Sequence, residues 1–232
     1  MIRVASYNIR KAIGTDRLRR PQRILDVIAE IGPDAIALQE ADRRFGPRVS
    51  ALPLEMIAAA GLKPVDFDTR AESIGWHGNT ILVKSGTKVV HRDLVRLPTL
   101  EPRGAVFAEL RFSGHLFRMV GMHLDLSGLW RRRQIRAILA AVADRPGMPT
   151  IFMGDLNEWA PHGGALVEFR GHRIAHTAPS FHSQSPVARL DRIIVDDSIR
   201  IRASGTHHSH KAKRASDHLP VWAELDIPVA ER

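Results

Sequence analysis

Residues able to do acid–base or metal chemistry recur in this chain where apolar runs stop. Asn8 closes the run 2–8, Gln39-Glu40 closes the run 34–39, and His123 closes the run 117–123. Gly154-Asp155-Leu156-Asn157 ends the run that starts at 150. Asp191 opens Asp191-Arg192-Ile193-Ile194, and Ser216-Asp217-His218 stands directly before the run 219–225. If these ends converge, they line a cleft with an amide, carboxylates and two imidazoles. Oxygen-rich sets of this kind suit Mg²⁺ or Mn²⁺ and are too hard for a dedicated zinc cage. Acids and imidazoles around a hard cation suit phosphoester hydrolysis. The cation and imidazoles neutralise phosphate charge, and a carboxylate orients or deprotonates water.

Each group also has a plainer explanation. An acid after a strand, such as Glu40, is commonly a turn residue or a helix cap. His123 reads equally as a hydrogen-bonded core histidine, Asp155-Leu156-Asn157 as an Asx turn, and Asp217-His218 as a solvated loop. The cleft is therefore a hypothesis about the fold.

The elements that must position these groups follow from periodicity. Strands are expected at 2–8, 34–39, 79–84, 88–95, 105–112, 117–123, 150–154, 189–195, 199–204 and 219–225. A helix starts at Pro21 and ends near Gly32-Pro33, with Ile24, Leu25, Ile28 and Ile31 on one stripe. A second covers 54–60, and a third covers 129–144 with Ile135, Ile138, Leu139 and Val142 on one face. Helices alternate with strands early and strands crowd together later, which predicts a mixed α/β layered domain spanning 1–232. Residues 161–186, rich in Gly, His, Ser and Pro, read as long loops.

Composition narrows the classes. The chain has 232 residues, 44% hydrophobic and 25% charged, enough to bury a core and incompatible with wholesale disorder. It contains no cysteine, which excludes a disulfide scaffold, a thiolate nucleophile and any cysteine-based metal site. The formal charge is +9, compatible with a phosphate-bearing partner. No uncharged apolar run approaches the roughly 18 residues of a membrane span. The longest candidate, 49–62, is broken by Pro53 and Glu55. The first residues read as a strand rather than a signal peptide. A soluble, cytoplasmic monomer without an obligate protein partner is expected.

Several short motifs then stand in a telling order. They are Ser6-Tyr7-Asn8-Ile9, Leu38-Gln39-Glu40, Gly78-Asn79-Thr80-Ile81-Leu82, His123-Leu124, Gly154-Asp155-Leu156-Asn157, Leu190-Asp191-Arg192-Ile193 and Ser216-Asp217-His218-Leu219-Pro220. In order and spacing the set resembles the endonuclease/exonuclease/phosphatase superfamily, the deoxyribonuclease I-like metal-dependent phosphoesterases, over nearly the whole chain. The resemblance implies a four-layer sandwich: two mixed sheets packed face to face, helices outside, the site at one end.

Carried over by position, it implies that Glu40 is the principal metal ligand, with Asn8 beside it. Asp217 either completes the metal shell or stays behind it. Asp155 would orient or deprotonate the attacking water, and Asn157 would hold a phosphate oxygen and that carboxylate. His218 would contact a phosphate oxygen, oriented by Asp191. His123 would stabilise the pentacovalent state or protonate the leaving oxygen. The carboxylate of an Asp–His pair fixes the tautomer and favours imidazolium. Arg103, in Glu101-Pro102-Arg103-Gly104, falls where family members often place an arginine near the site; it reads as a phosphate contact or as a surface charge. Asn79 and Arg10 are further substrate-binding candidates. Some bacterial relatives read Asn-Ile-His-Lys-Gly where this chain has Arg10 and Ala12.

Two basic clusters remain. His207, His208, His210, Lys211, Lys213 and Arg214 read as a substrate-contacting loop or as a solvated flexible one. Arg131-Arg132-Arg133 open the third helix, where cations oppose the helix dipole, so acidic or substrate partners are expected. The reading is Mg²⁺-dependent (or Mn²⁺-dependent) phosphoester hydrolysis by activated water. Nucleic acid or another phosphodiester comes ahead of small, inositol or lipid phosphoesters. A non-catalytic phosphate-binding module is the remote rival.

Overall fold

The computed structural model describes residues 1–42, 49–69, 72–99 and 102–229. In chain order the strands are β1 (Ile2–Asn8), β2 (Ala35–Gln39), β3 (Leu62–Pro64), β4 (Thr80–Lys84), β5 (Lys88–Arg96) and β6 (Gly104–Phe112). Then come β7 (His115–His123), β8 (Thr150–Asp155), β9 (Arg173–Ile174), β10 (Asp191–Val195), β11 (Arg200–Thr206) and β12 (Val221–Asp226). The helices are α1 (Pro21–Ile31), α2 (Leu54–Ala59), α3 (Gly128–Ala143) and α4 (His210–Ala215).

Local chemistry explains the helix ends. α1 begins on Pro21, whose fixed φ suits a first turn, and stops where Gly32 takes a left-handed φ of 60°. It carries β1 into the parallel strand β2, a connection that requires a crossover. α3 does the same between the parallel strands β7 and β8. Two of the three arginines that open α3 find acids, and Arg133 stacks over the Trp130 ring. Arg131 pairs with Glu158 at 3.3 Å, while Arg132 and Arg136 both grip Glu168 at 2.7 Å.

Two six-stranded mixed sheets result, ordered β11-β12-β1-β2-β4-β3 and β5-β6-β7-β8-β10-β9. Val4, Ala37, Ile81, Val106, Met119, Met153, Ile193 and Ala223 fill the space between them. Ile24, Leu25, Ile28, Ile57 and Ala212 close the outer face of the first sheet with α1, α2 and α4. Ile135, Ile138, Leu166 and Phe169 close the second. The four layers are therefore helix, sheet, sheet, helix.

Three segments differ from the sequence reading. Residues 161–186 are not all loop. Gly164–Phe169 forms a 3-10 turn that buries Leu166 and Phe169, and β9 pairs with β10. These apolar residues act against α3 across the fold, so no local periodicity announces them. The basic cluster 207–214 is not a flexible loop. Ser209 caps α4, its Oγ accepting from the Ala212 backbone N–H at 3.0 Å, and Ala212 and Ala215 are buried. β3 is a three-residue strand too short to show a period. Among the described residues no helix is long and apolar enough to cross a membrane.

Candidate active site

Sheet register brings the polar strand ends together. In β7, β8 and β10, His123 stands opposite Asp155, and Asp155 stands opposite Asp191. One row across three adjacent strands thus carries an imidazole and two carboxylates at the same sheet end. In the other sheet Asn8 stands opposite Gln39, which places Glu40 just beyond the same edge. β12 runs antiparallel to β1, with Ser6 opposite Val221, so the segment before β12 returns to the Asn8 end. Ser216 Oγ donates to the Asn8 carbonyl at 2.7 Å and fixes that return.

Gly154 is required by this packing. A Cβ there would lie 1.8 Å from the Met122 carbonyl oxygen, so any other residue would push β8 off β7 and move Asp155.

Asp155 is the hub. Its Oδ2 accepts from Asn8 Nδ2 at 2.9 Å and lies 3.4 Å from His123 Nε2 and 3.7 Å from His218 Nε2. Its Oδ1 accepts the Asn157 backbone N–H at 3.0 Å. Burial alone would favour the protonated acid, but the His218 charge and these donors outweigh it and lower the pKa, so Asp155 is a carboxylate. The expectation for Asn157 is corrected in one respect. Its backbone, not its side-chain amide, holds Asp155; the side chain donates to the Leu124 carbonyl at 2.8 Å.

His218 donates through Nδ1 to Asp191 Oδ2 at 2.8 Å, and that oxygen also accepts from Ser180 Oγ at 2.5 Å. Burial would strip the ring's proton. The Asp191 and Asp155 carboxylates override it and raise His218 to about 10. Burial also pushes Asp191 upward. The shared proton belongs on the imidazole, because the ring faces a second carboxylate in Asp155.

His123 differs. Burial first, then the nearby Arg103 charge, lowers it to about 4 against the opposing pull of Asp155 and Glu40. Arg103 Nη1 lies 2.8 Å from His123 Nε2. A guanidinium can only donate, so that nitrogen is an acceptor and His123 is the neutral Nδ1–H tautomer. The contact from Nε2 to Asp155 is then no hydrogen bond. His123 is therefore not a ready proton donor, contrary to one of its two expected roles.

Asn79 is fully buried and donates through Nδ2 to the Gly104 carbonyl at 3.0 Å, bracing the strand that follows Arg103. Glu101, from the same stretch as Arg103, lies outside the described residues.

The expected metal ligands are spread over two partners. Glu40 sits at a left-handed φ of 52°, half-buried, with Lys11 Nζ 2.6 Å from Oε2. Burial opposes its ionisation, but the Lys11 ammonium beside it prevails and lowers its pKa. Asp217 instead faces Arg10, Nε to Oδ2 at 3.3 Å. Arg10 also donates its backbone N–H to Asn8 Oδ1 at 3.1 Å. Asp155, Asp191 and His218 offer ligand atoms within 4.8 Å of one another, a spacing that could hold a metal ion. Hydrogen bonds account for that trio more fully. Asp191 Oδ2 is already shared by two donors, and an imidazolium cannot ligate. The expected ligand Glu40 offers a hard, half-exposed carboxylate at the same sheet edge as Asn8, with an ammonium already against it. That chemistry fits Mg²⁺ or Mn²⁺.

Sequence reading missed Ser180 and Phe181. Ser180 anchors Asp191, and the Phe181 ring packs on His218 with centroids 4.9 Å apart. Both lie in the segment read as loop, where only their apposition to a distant histidine distinguishes them.

The model of the endonuclease/exonuclease/phosphatase family matches residues 5–218. The chain belongs to this family. It is accordingly an enzyme of the phosphoesterase class, as its motifs imply. No curated protein matches the chain by sequence. Among solved structures, mannosyl-6-phosphatase of Bacteroides thetaiotaomicron is 19% identical, with a TM-score of 0.77 over 98% of this chain and 100% of that one. D. rerio TDP2, complexed with single-strand DNA product, is 17% identical, with a TM-score of 0.73 over 97% of this chain and 98% of that one. The human Nocturnin catalytic domain, with bound sulfate, is 19% identical, with a TM-score of 0.72 over 98% and 93%. At these identities the likeness is one of fold, and family members with this fold share the two-sheet sandwich.

Proposed function

We propose that the chain, acting as one domain, hydrolyses a phosphoester by in-line attack of a water held by Asp155. The observation that carries this is the Asp155 hub: an ionised, buried carboxylate with an imidazolium, a neutral imidazole and a carboxamide converging on it. Asp155 orients the water and takes its proton as the new P–O bond forms opposite the leaving oxygen. The P–O bond to the leaving oxygen breaks, and the leaving oxygen takes a proton from solvent. His218 meets charge on a non-bridging oxygen, Asp191 and Ser180 hold its ring, and Arg103 adds a second cation oriented by His123. Asn157 contributes its remaining amide hydrogen to a phosphate oxygen. Glu40 and Asn8 would hold Mg²⁺ or Mn²⁺, and the ion would supply charge neutralisation at the phosphate.

The favoured substrate is a phosphodiester, as in a nuclease. The net charge of +9 and Arg10 beside Asp217 support it. The second reading, hydrolysis of a small, inositol or lipid phosphomonoester, draws on the fold shared with mannosyl-6-phosphatase. A panel of plasmid DNA, oligonucleotides, inositol phosphates, phospholipids and bis(4-nitrophenyl) phosphate, assayed with Mg²⁺ and Mn²⁺, decides between them. EDTA and Asp155→Ala should each abolish turnover. Undiminished turnover in Asp155→Ala ends the mechanism.

A further inference from the structure

Beside the hub the surface opens into a basic cleft of about 650 Å³, lined by Arg10, Arg17, His182, His210, Lys213 and Arg214. A second hollow of about 270 Å³ shares His210 and Arg214 and adds Arg20, Arg23, Lys211 and the carboxylate Asp26. Arg10 joins the cleft to the hub, since its backbone bonds Asn8 and its guanidinium bonds Asp217, next to His218. His182 follows Phe181, whose ring covers His218.

The charge here is only partly compensated: Arg10 pairs with Asp217, and Lys211 lies 3.6 Å from Glu30. The carboxylate lining the cleft, Asp16, is taken by Arg23 at 2.5 Å. Arg17, Lys213 and Arg214 have no carboxylate partner among the described residues. Cations from two segments, some two hundred positions apart, therefore face one hollow and repel one another, unless an anion enters.

The hollow is also built. Thr15 N donates to the Arg214 carbonyl at 3.1 Å, and Gln184 Nε2 donates to the Lys213 carbonyl at 2.6 Å and to Thr15 Oγ1 at 3.2 Å. A Cβ on Gly14 would lie 2.4 Å from the Arg214 carbonyl oxygen, so the two walls are in closest approach there. These hydrogen bonds use the backbone carbonyls of Lys213 and Arg214, not their cationic side chains.

We propose that this cleft is a second anion subsite, which binds a further phosphate of the same substrate while the scissile phosphate sits at Asp155 and His218. The proposal rests on the hydrolase reading and deepens it: the substrate carries at least two phosphate groups, with Arg10 between them. A polynucleotide backbone and a small multiply phosphorylated molecule share this chemistry.

The test combines Arg17→Asn, Lys213→Ala and Arg214→Ala. Asn suits the left-handed φ of 61° at residue 17, and the α4 carbonyls used by Gln184 and Thr15 are backbone groups that alanine keeps. Three substrates are compared: bis(4-nitrophenyl) phosphate, with one phosphate; inositol bisphosphate; and a thymidine tetranucleotide. KM should rise roughly tenfold or more on the second or third, against less than about twofold on the first, as removal of several charge-assisted hydrogen bonds requires. A rise confined to the tetranucleotide identifies a polynucleotide backbone as the source. A rise on inositol bisphosphate as well identifies any second phosphate. For the tetranucleotide, the slope of log affinity against log salt should fall by about 0.7–1.4, near 0.7 for each of the one or two further phosphates no longer neutralised. Equal changes on all three substrates overturn the subsite.

Calorimetric binding of the tetranucleotide separates the two readings. If nothing is turned over but wild type binds it and the triple variant binds it at least about tenfold more weakly, the hydrolase reading fails and the anion cleft stands. If the two proteins bind it equally, the cleft fails.

Discussion

Asp191 Oδ2 accepts two hydrogen bonds at once, from His218 Nδ1 at 2.8 Å and from Ser180 Oγ at 2.5 Å. With Asp155 on its far side, the His218 ring is held between two carboxylates. His123 is lowered instead, by burial first and then by the Arg103 charge against it. Two histidines of one site are thus driven in opposite directions, one by its carboxylates and the other by burial and a cation.

This opposition is measurable. In metal-free protein, ring ¹⁵N shifts should show His218 protonated through neutral pH and titrating near about 10, and His123 neutral until about pH 4. Stability follows. His218, raised from 6.5, contributes stability that is complete below pH 6.5 and lost as pH rises through 10. His123, depressed from 6.5, contributes stability that is present above pH 6.5 and lost as pH falls through 4. Urea midpoints should therefore decline on both sides of neutrality.

Asp155→Asn should lower kcat by about 10²–10⁴-fold, the range for loss of a positioned general base. It should also lower the His218 pKa, since one of the two carboxylates facing the ring is gone. An unmoved His218 titration would contradict the electrostatic account even if activity fell.

Ser180→Ala removes only the donor behind Asp191. Loss of such a supporting bond typically costs about 10–100-fold in activity. The change should fall on kcat with KM nearly constant, because Ser180 is fully buried and touches no substrate.

Gly154→Ala tests whether strand packing sets the position of Asp155. The new Cβ would overlap the Met122 carbonyl, so β7 and β8 must separate. A stability loss of about 1–3 kcal/mol is expected for such overpacking, with activity reduced alongside.

A fifth prediction concerns the scaffold. Arg118 in β7 is almost fully buried and donates to Glu109 at 2.8 Å and to the Pro146 carbonyl at 3.1 Å. Glu109→Ala would leave that guanidinium buried without its acid, a loss of about 3–5 kcal/mol. At the far end of β6 from Arg103, it should leave kcat intact below the melting transition.

Local patterns were sufficient for most of the elements, though not for β3, β9 and α4. The apolar stripe of α1, Pro21 at its start, Gly32 at its end and the strand pattern around Asn8, Glu40, His123 and Asp155 depend on neighbours a few residues away, and these are legible in the chain. The polar residues at the strand ends could be identified as candidates for the same reason. Tertiary structure decided what those residues are to each other. Register placed His123, Asp155 and Asp191 in one row, and the return of the chain before β12 laid His218 against Asp191. Burial and charge set opposite protonation for the two imidazoles, made a backbone N–H rather than a side chain the Asn157 donor to Asp155, and turned Asp217 toward Arg10. It also folded the basic cluster into α4 and joined it to Arg17. These are long-range quantities: desolvation and Coulomb interactions depend on which distant groups lie within a few ångströms, and no local period of the sequence encodes that.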